Sequence, residues 1–127
     1  MGANMFKILL AGNDTRLLAT RAAVLSKTGA AVVYHNSVET LEVLDRDTFD
    51  LVVLCHTLED PDIVVIAEKV HQKNSGAKIL MVTSEIEGYR MYADRMVDAM
   101  TLPEPGHLVA LAKELLLASS YASHAGV

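Results

Sequence analysis

Three places in the chain put reactive or hydroxyl side chains at the ends of apolar runs. Cys55 and His56 close the run inside "DLVVLCHTLED" (50–60). Gly12, Asn13 and Asp14 follow "FKILLA" (6–11), and Thr83 and Ser84 end "KILMVTS" (78–84). A cysteine beside a histidine could act as an activated nucleophile, a ligand pair or a redox-sensitive thiol. Thr83 and Ser84, with their adjacent amides, could hold a small anion, or simply satisfy backbone groups at a turn.

Spacing removes most of this chemistry. Neighbouring residues of a strand face opposite sides, so Cys55 and His56 do not work as a pair on one atom. His35, His56, His71, His107 and His124 have no companions at ligand spacing, so no metal site is expected. A redox-sensitive thiol needs a nearby cation or helix N-terminus, and the sequence offers no obvious cation beside Cys55. That leaves a small, buried, inert thiol, with His56 as a partly exposed loop residue. The loop "AGNDTRLL" contains neither G-x-G-x-x-G nor a Gly-rich loop ending in Gly-Lys-Ser/Thr, so no nucleotide phosphate site is expected. Gly12 reads as a tight turn, and Asp14 or Thr15 as a helix cap.

These residues need strands to carry them, and five short apolar runs qualify. They are residues 6–11, 30–35, 50–55, 78–83 and the weaker 97–101. Near-continuous apolar runs are how parallel strands read when both sheet faces are covered. Helical spacing fills the gaps. Leu18, Ala22 and Leu25 precede a C-capping Gly29, and Ser37 caps a helix carrying Val38, Leu41 and Leu44. Pro61 and Asp62 open a helix with Ile63, Ile66, Ala67 and Val70 on one face. Residues 85–96 form a fourth helix weakened by Gly88, and "PEPG" (103–106) is a loop before a final helix with Leu108, Leu111, Ala112 and Leu115. The β-α order repeats five times, which implies a single α/β domain, a doubly wound (βα)5 three-layer sandwich of flavodoxin-like type. Its parallel sheet takes the order 2-1-3-4-5, with a crevice above the ends of strands one and three.

Composition narrows the partners. The chain has 127 residues, 51% of them hydrophobic, with no Trp, so one aliphatic core is expected. The net charge is −5 without a basic cluster, which excludes a nucleic-acid surface of the usual kind. A single cysteine cannot make an internal disulfide and fits a reducing compartment. No segment has the layout of a signal peptide or a membrane span, so a cytoplasmic protein with no membrane partner is expected. Residues 1–4 read as a disordered leader, 5–118 as the domain, and 119–127 as a flexible polar tail.

Over residues 5–118 the layout resembles the receiver domain of two-component response regulators. "KILLAGNDTRLL" is similar to the family's first strand and loop, and "SVETLEVLDRDTFDLVVLCHTLEDPD" to its second helix, third strand and following loop. "KILMVTSE" resembles strand four with its hydroxyl residue, and "VDAMTLPEPGHLVALAKELL" strand five, a Lys-Pro turn and the last helix. The resemblance implies phosphoryl transfer to an aspartate at the end of strand three. It also implies Mg²⁺ held by two acids after strand one, a hydroxyl after strand four and a lysine after strand five. Carried over by residue, the acceptor falls on Cys55 and the acids on Gly12 and Asn13, with Asp14 one step late. The hydroxyl position keeps Thr83, the lysine falls on Leu102 before Pro103, and the aromatic switch falls on Ala99. Mg²⁺ wants carboxylate oxygen, and an uncompensated phosphoryl group would have nothing to neutralise it. The pocket is expected to be degenerate, with no metal and no cofactor.

A degenerate receiver is expected to be a phosphorylation-independent interaction module and not an enzyme. Its partner is expected to be a signalling protein or a second copy. The resemblance places the contact on helix four, strand five and the last helix, where Tyr89, Met91, Tyr92, Arg95 and Met96 fall. The alternatives are a sensor of another input, through Cys55 oxidation or an anion at Thr83 and Ser84, and a flavodoxin-like enzyme. No acid–base pair supports the enzyme.

Overall fold

The computed structural model describes residues 6–83 and 96–125. The expected leader at 1–4, Ser84, and all of the expected fourth helix except Met96 lie outside those residues. So do Tyr89, Met91, Tyr92 and Arg95.

Five strands form one parallel sheet in the order β2-β1-β3-β4-β5. They are β1 (Lys7–Ala11), β2 (Ala31–His35), β3 (Leu51–Cys55), β4 (Lys78–Val82) and β5 (Ala99–Thr101). The described helices are α1 (Thr15–Leu25), α2 (Ser37–Arg46), α3 (Asp60–Lys73) and α4 (Pro105–Ala125). Alternation along the strands sorts the core into two layers. Leu9, Ala11, Val52, Leu54, Ile79 and Met81 face α2 and α3, where Val43, Leu44, Ile63, Ile66 and Val70 meet them. Ile8, Leu10, Leu51, Val53, Cys55 and Leu80 face α1 and α4, where Leu18, Leu25, Leu108 and Leu116 meet them. Central β3 is buried at all five positions, as a strand covered on both faces must be. The result is the doubly wound three-layer sandwich that the β-α alternation implies.

Local chemistry moves several boundaries. Asp14 caps α1 by accepting the Leu17 amide at 3.2 Å. Gly29 ends the short 3-10 turn Ser26–Thr28 at φ 90°, a left-handed conformation that suits glycine. The cap of α2 is Asn36, one residue before the expected Ser37. Asn36 Oδ1 accepts the Glu39 amide at 2.8 Å, and Glu39 reaches back to the Asn36 amide, a reciprocal capping box. The buried face of α2 is accordingly Thr40, Val43 and Leu44, and Val38 in its first turn is exposed. α4 starts at Pro105, inside the expected "PEPG" loop, because proline at the first helical position lacks only an N–H that has no intrahelical partner. Its backbone runs on to Ala125, through residues expected as a polar tail. Strand β2 reads as a buried run in sequence yet exposes Val33 and Tyr34, because it is the edge strand of the sheet. Among the described residues, no helix is long and apolar enough to cross a membrane.

Candidate functional site

The register brings the strand ends together. Ala11 pairs with Leu54, Cys55 with Val82, and Val82 with Thr101. Gly12 and Cys55 are therefore level with Val82 and Thr101, and Thr83 and Leu102 follow one residue further on, all at the C-terminal edge of the sheet, where ligands of open α/β sheets bind. The six positions of the expected pocket do share one end of the molecule.

The loop after β1 is locked onto its neighbours. Thr57 Oγ1 accepts the Asn13 amide at 2.9 Å, and Asn13 Nδ2 donates to the Thr57 carbonyl at 3.4 Å. Asn13 Oδ1 accepts the Ser37 amide at 3.3 Å, tying the loop to the start of α2. A β-carbon placed on Gly12 would stand 2.8 Å from Thr57 Oγ1 and 3.1 Å from the Cys55 β-carbon. Only glycine fits there without movement. Thr57 thus packs against Gly12 at the ends of β1 and β3. An open polar cavity of about 350 Å³ lies over β1 and β2, with Asn13, Tyr34, His35 and Glu39 on its walls.

The other positions are equally committed. Asp14 is used as a helix cap. Thr83 is buried, and its amide donates to the Thr101 carbonyl at 2.9 Å. Leu102 is 43% exposed and accepts the Thr101 hydroxyl at its carbonyl. Met96 packs against the core layer under α3. This donor set does not suit Mg²⁺: Gly12 and Cys55 supply no carboxylate, and Asn13 and Asp14 already hold backbone amides. Among the described residues, no group of three His, Cys, Asp or Glu could hold a metal ion.

Cys55 itself is 1% exposed. Its surroundings contain a cation after all, contrary to the sequence reading. Arg21, on the buried stripe of α1 with Leu18, Ala22 and Leu25, is 5% exposed and lies on the face turned to the core layer that contains Cys55. Burial pushes the Cys55 thiol up, and Arg21 opposes that rise without cancelling it. His56, next along, is held below the usual histidine value, chiefly by burial and then by Arg21, with Asp14 pulling the other way. Arg21 Nη1 and His56 Nδ1 are both buried without a hydrogen-bond partner. Arg21 and Thr57 are the site residues that sequence reasoning missed. The spacing of 18, 21, 22 and 25 was the available signal for Arg21, because it sets the arginine on an apolar face.

No protein-family model matches the chain, and no curated protein matches it. Solved structures do resemble it. A CheY-like response regulator receiver domain from Methanospirillum hungatei JF-1 superposes with a TM-score of 0.79 at 23% identity, covering 94% of this chain and 99% of the other. The receiver domain of the sensor histidine kinase PA1611 from Pseudomonas aeruginosa PAO1 has a magnesium ion in its active-site cleft. It superposes with a TM-score of 0.75 at 13% identity, covering 88% and 98%. The receiver domain of a Francisella response regulator gives 0.76 at 13% identity, covering 90% and 98%. The fold of this chain is that of the CheY-like response regulator receiver domain.

Proposed function

We propose that the protein is a receiver-like signalling domain that works without aspartyl phosphorylation. The observation that supports this reading is Cys55 at the end of β3, where the resemblance puts the acceptor, with Gly12 packed tightly against Thr57 and Cys55. A carboxylate acceptor, a metal and a lysine all act on the charge of a transferring phosphoryl group, and Cys55, Gly12, Asn13 and Leu102 offer none of that chemistry. The domain is then a cytoplasmic interaction module of a two-component pathway and not an enzyme. Its partner is a signalling protein or a second copy, engaged through Tyr89, Met91, Tyr92, Arg95 and Met96.

Amide NMR under titration with Mg²⁺, and then with beryllofluoride as a phosphoryl mimic, tests the reading. No shift is expected at Gly12, Asn13, Asp14, Cys55, Thr83 or Leu102. Saturable shifts at these residues would show a pocket that still takes an anion. The contact face has its own test. Tyr92→Ala with Arg95→Ala should abolish association in a sizing or binding assay with the melting temperature unchanged.

A further inference from the structure

Strand β2 carries none of the usual protection of a sheet edge. Edge strands commonly hold a charge, a proline or a bulge, or lie under a helix or loop, because an open row of main-chain groups invites another strand. Residues 30–38 contain no Asp, Glu, Lys, Arg or Pro. The β1–β2 register runs from Lys7 opposite Ala31 to Ala11 opposite His35 without a bulge. Ala31, Val33 and Tyr34 are exposed. The main chain of β2 has only one side in use. The Ala31 amide donates to the Phe6 carbonyl at 2.8 Å, and the His35 carbonyl accepts the Gly12 amide at 3.2 Å. Alternate residues of a parallel pair bond to the neighbour, so Ala31, Val33 and His35 are spent on β1. The amides and carbonyls of Val32 and Tyr34 point away from it, and no described residue pairs with them.

The strand that fits this pattern is β2 itself. We infer that two copies of the chain pair antiparallel along β2, joining their sheets about a two-fold axis at Val33. Val32 then stands opposite Tyr34 of the second copy, and Tyr34 opposite Val32 of the second copy, as an isologous contact requires. Each of these pairs exchanges both its N–H···O bonds, so every open main-chain group of the two residues is used. The side chains of Val32 and Tyr34 share one face of the sheet, and an aromatic opposite a β-branched residue is a favourable cross-strand pair. On the other face Val33 meets Val33 of the second copy in the closer, non-hydrogen-bonded pairing, and the apolar surface that both expose is covered.

Charge favours the same occupant and the same direction. Each copy carries a net charge of −5, so two copies repel over most of their surfaces. The uncharged stretch 30–38 lets them approach without adding to that repulsion. Its flanks differ in sign: exposed Lys27 precedes β2, and exposed Glu39 follows it. Antiparallel pairing sets the Lys27 end of each copy beside the Glu39 end of the other. Parallel pairing would set like ends together. The surface includes neither Tyr92 nor Arg95, so it stands or fails independently of the contact face proposed above.

Sedimentation of the full chain over a micromolar to millimolar series tests the pairing. The expected result is an apparent mass that doubles as concentration rises. Val33→Lys sets two like charges face to face on the axis and should hold the chain at the monomer mass throughout, and Val33→Glu should do the same. An equal mixture of the Val33→Lys and Val33→Glu variants should recover the doubled mass, because Val33 meets its own counterpart. Tyr92→Ala with Arg95→Ala should leave the doubling intact. A parent chain that stays monomeric overturns the pairing, and so does a dimer that survives Val33→Lys or that Tyr92→Ala with Arg95→Ala dissolves. A mixture that stays monomeric also overturns it. Should the Val33 variants fail to fold, amide exchange of the parent decides. The Val32 and Tyr34 amides should exchange more slowly in the concentrated sample than in the dilute one, and rates independent of concentration refute the pairing.

Discussion

Thr57 Oγ1 lies 2.8 Å from where a β-carbon on Gly12 would stand, and the same hydroxyl accepts the Asn13 amide at 2.9 Å. One threonine therefore closes the loop after β1 and enforces glycine at its first position. Rotating Thr57 away would strand the Asn13 amide, and Leu18 at 3.0 Å crowds the point from the other side. Placing an acid there should fail on packing before any question of metal arises. Gly12→Asp is expected to lower stability by ~1–3 kcal/mol, the usual range for overpacking. In a Thr57→Ala background the loss should be smaller. Urea midpoints at unchanged m measure both. A Gly12→Asp variant as stable as the parent would show that the loop opens freely.

Arg21 gives a second expectation, of opposite sign for two substitutions. Methionine fills a similar volume without a charge, and replacing a buried uncompensated ion by an apolar group commonly stabilises by ~1–4 kcal/mol. Arg21→Met should therefore raise the urea midpoint of the reduced protein. Arg21→Ala removes the charge and also leaves a void beside Leu18 and Leu25, so it should gain less or lose outright. Equal effects from the two would mean that charge burial at this position is unimportant.

The elements were legible for physical reasons, and so were the misreadings. β3 and β4 are aliphatic runs because both faces of a central parallel strand are covered, and that is visible residue by residue in "DLVVLC" and "KILMVT". β2 looked the same in "AAVVYH", but a strand's place in the sheet follows from its partners, and the edge position leaves Val33 and Tyr34 exposed. That Gly12, Cys55, Thr83 and Leu102 share the C-terminal edge of the sheet was readable because each closely follows or ends a parallel strand. Arg21 was not, because an arginine within a helical stripe reads as solvent-facing until the apolar spacing around it is given precedence. Thr57 pins the loop after β1 by a contact 44 residues away along the chain, and no local pattern encodes it.

His56 carries a pH expectation. Its folded value lies below the ordinary histidine value of 6.5. The unfolded chain then binds the proton more readily than the folded one, so stability is full above pH 6.5 and falls as pH drops from there through the depressed folded value. Burial is the larger cause and Arg21 the second. His56→Gln should flatten this part of the stability–pH curve, and Arg21→Met should make it shallower. Melting temperatures between pH 7.5 and 5 decide it (about that range spans histidine titration). A slope indifferent to His56→Gln would place the acid sensitivity elsewhere.

Asn36 and Ser37 separate two readings of where α2 begins. If Asn36 is the cap, Asn36→Ala removes the acceptor for the Glu39 amide and should lower stability by ~0.5–2 kcal/mol. Ser37→Ala should change little, because the bond from Ser37 to Asn13 Oδ1 uses the backbone amide, which alanine keeps. Glu39→Ala should fall between them, since it removes the return bond to the Asn36 amide and the contact with His35 but leaves the Asn36 acceptor in place. The order Asn36, Glu39, Ser37 in urea midpoints is the signature of a capping box starting at residue 36. A larger loss at Ser37 than at Asn36 would move the helix start by one residue, and with it the anchor that holds Asn13 over the strand ends.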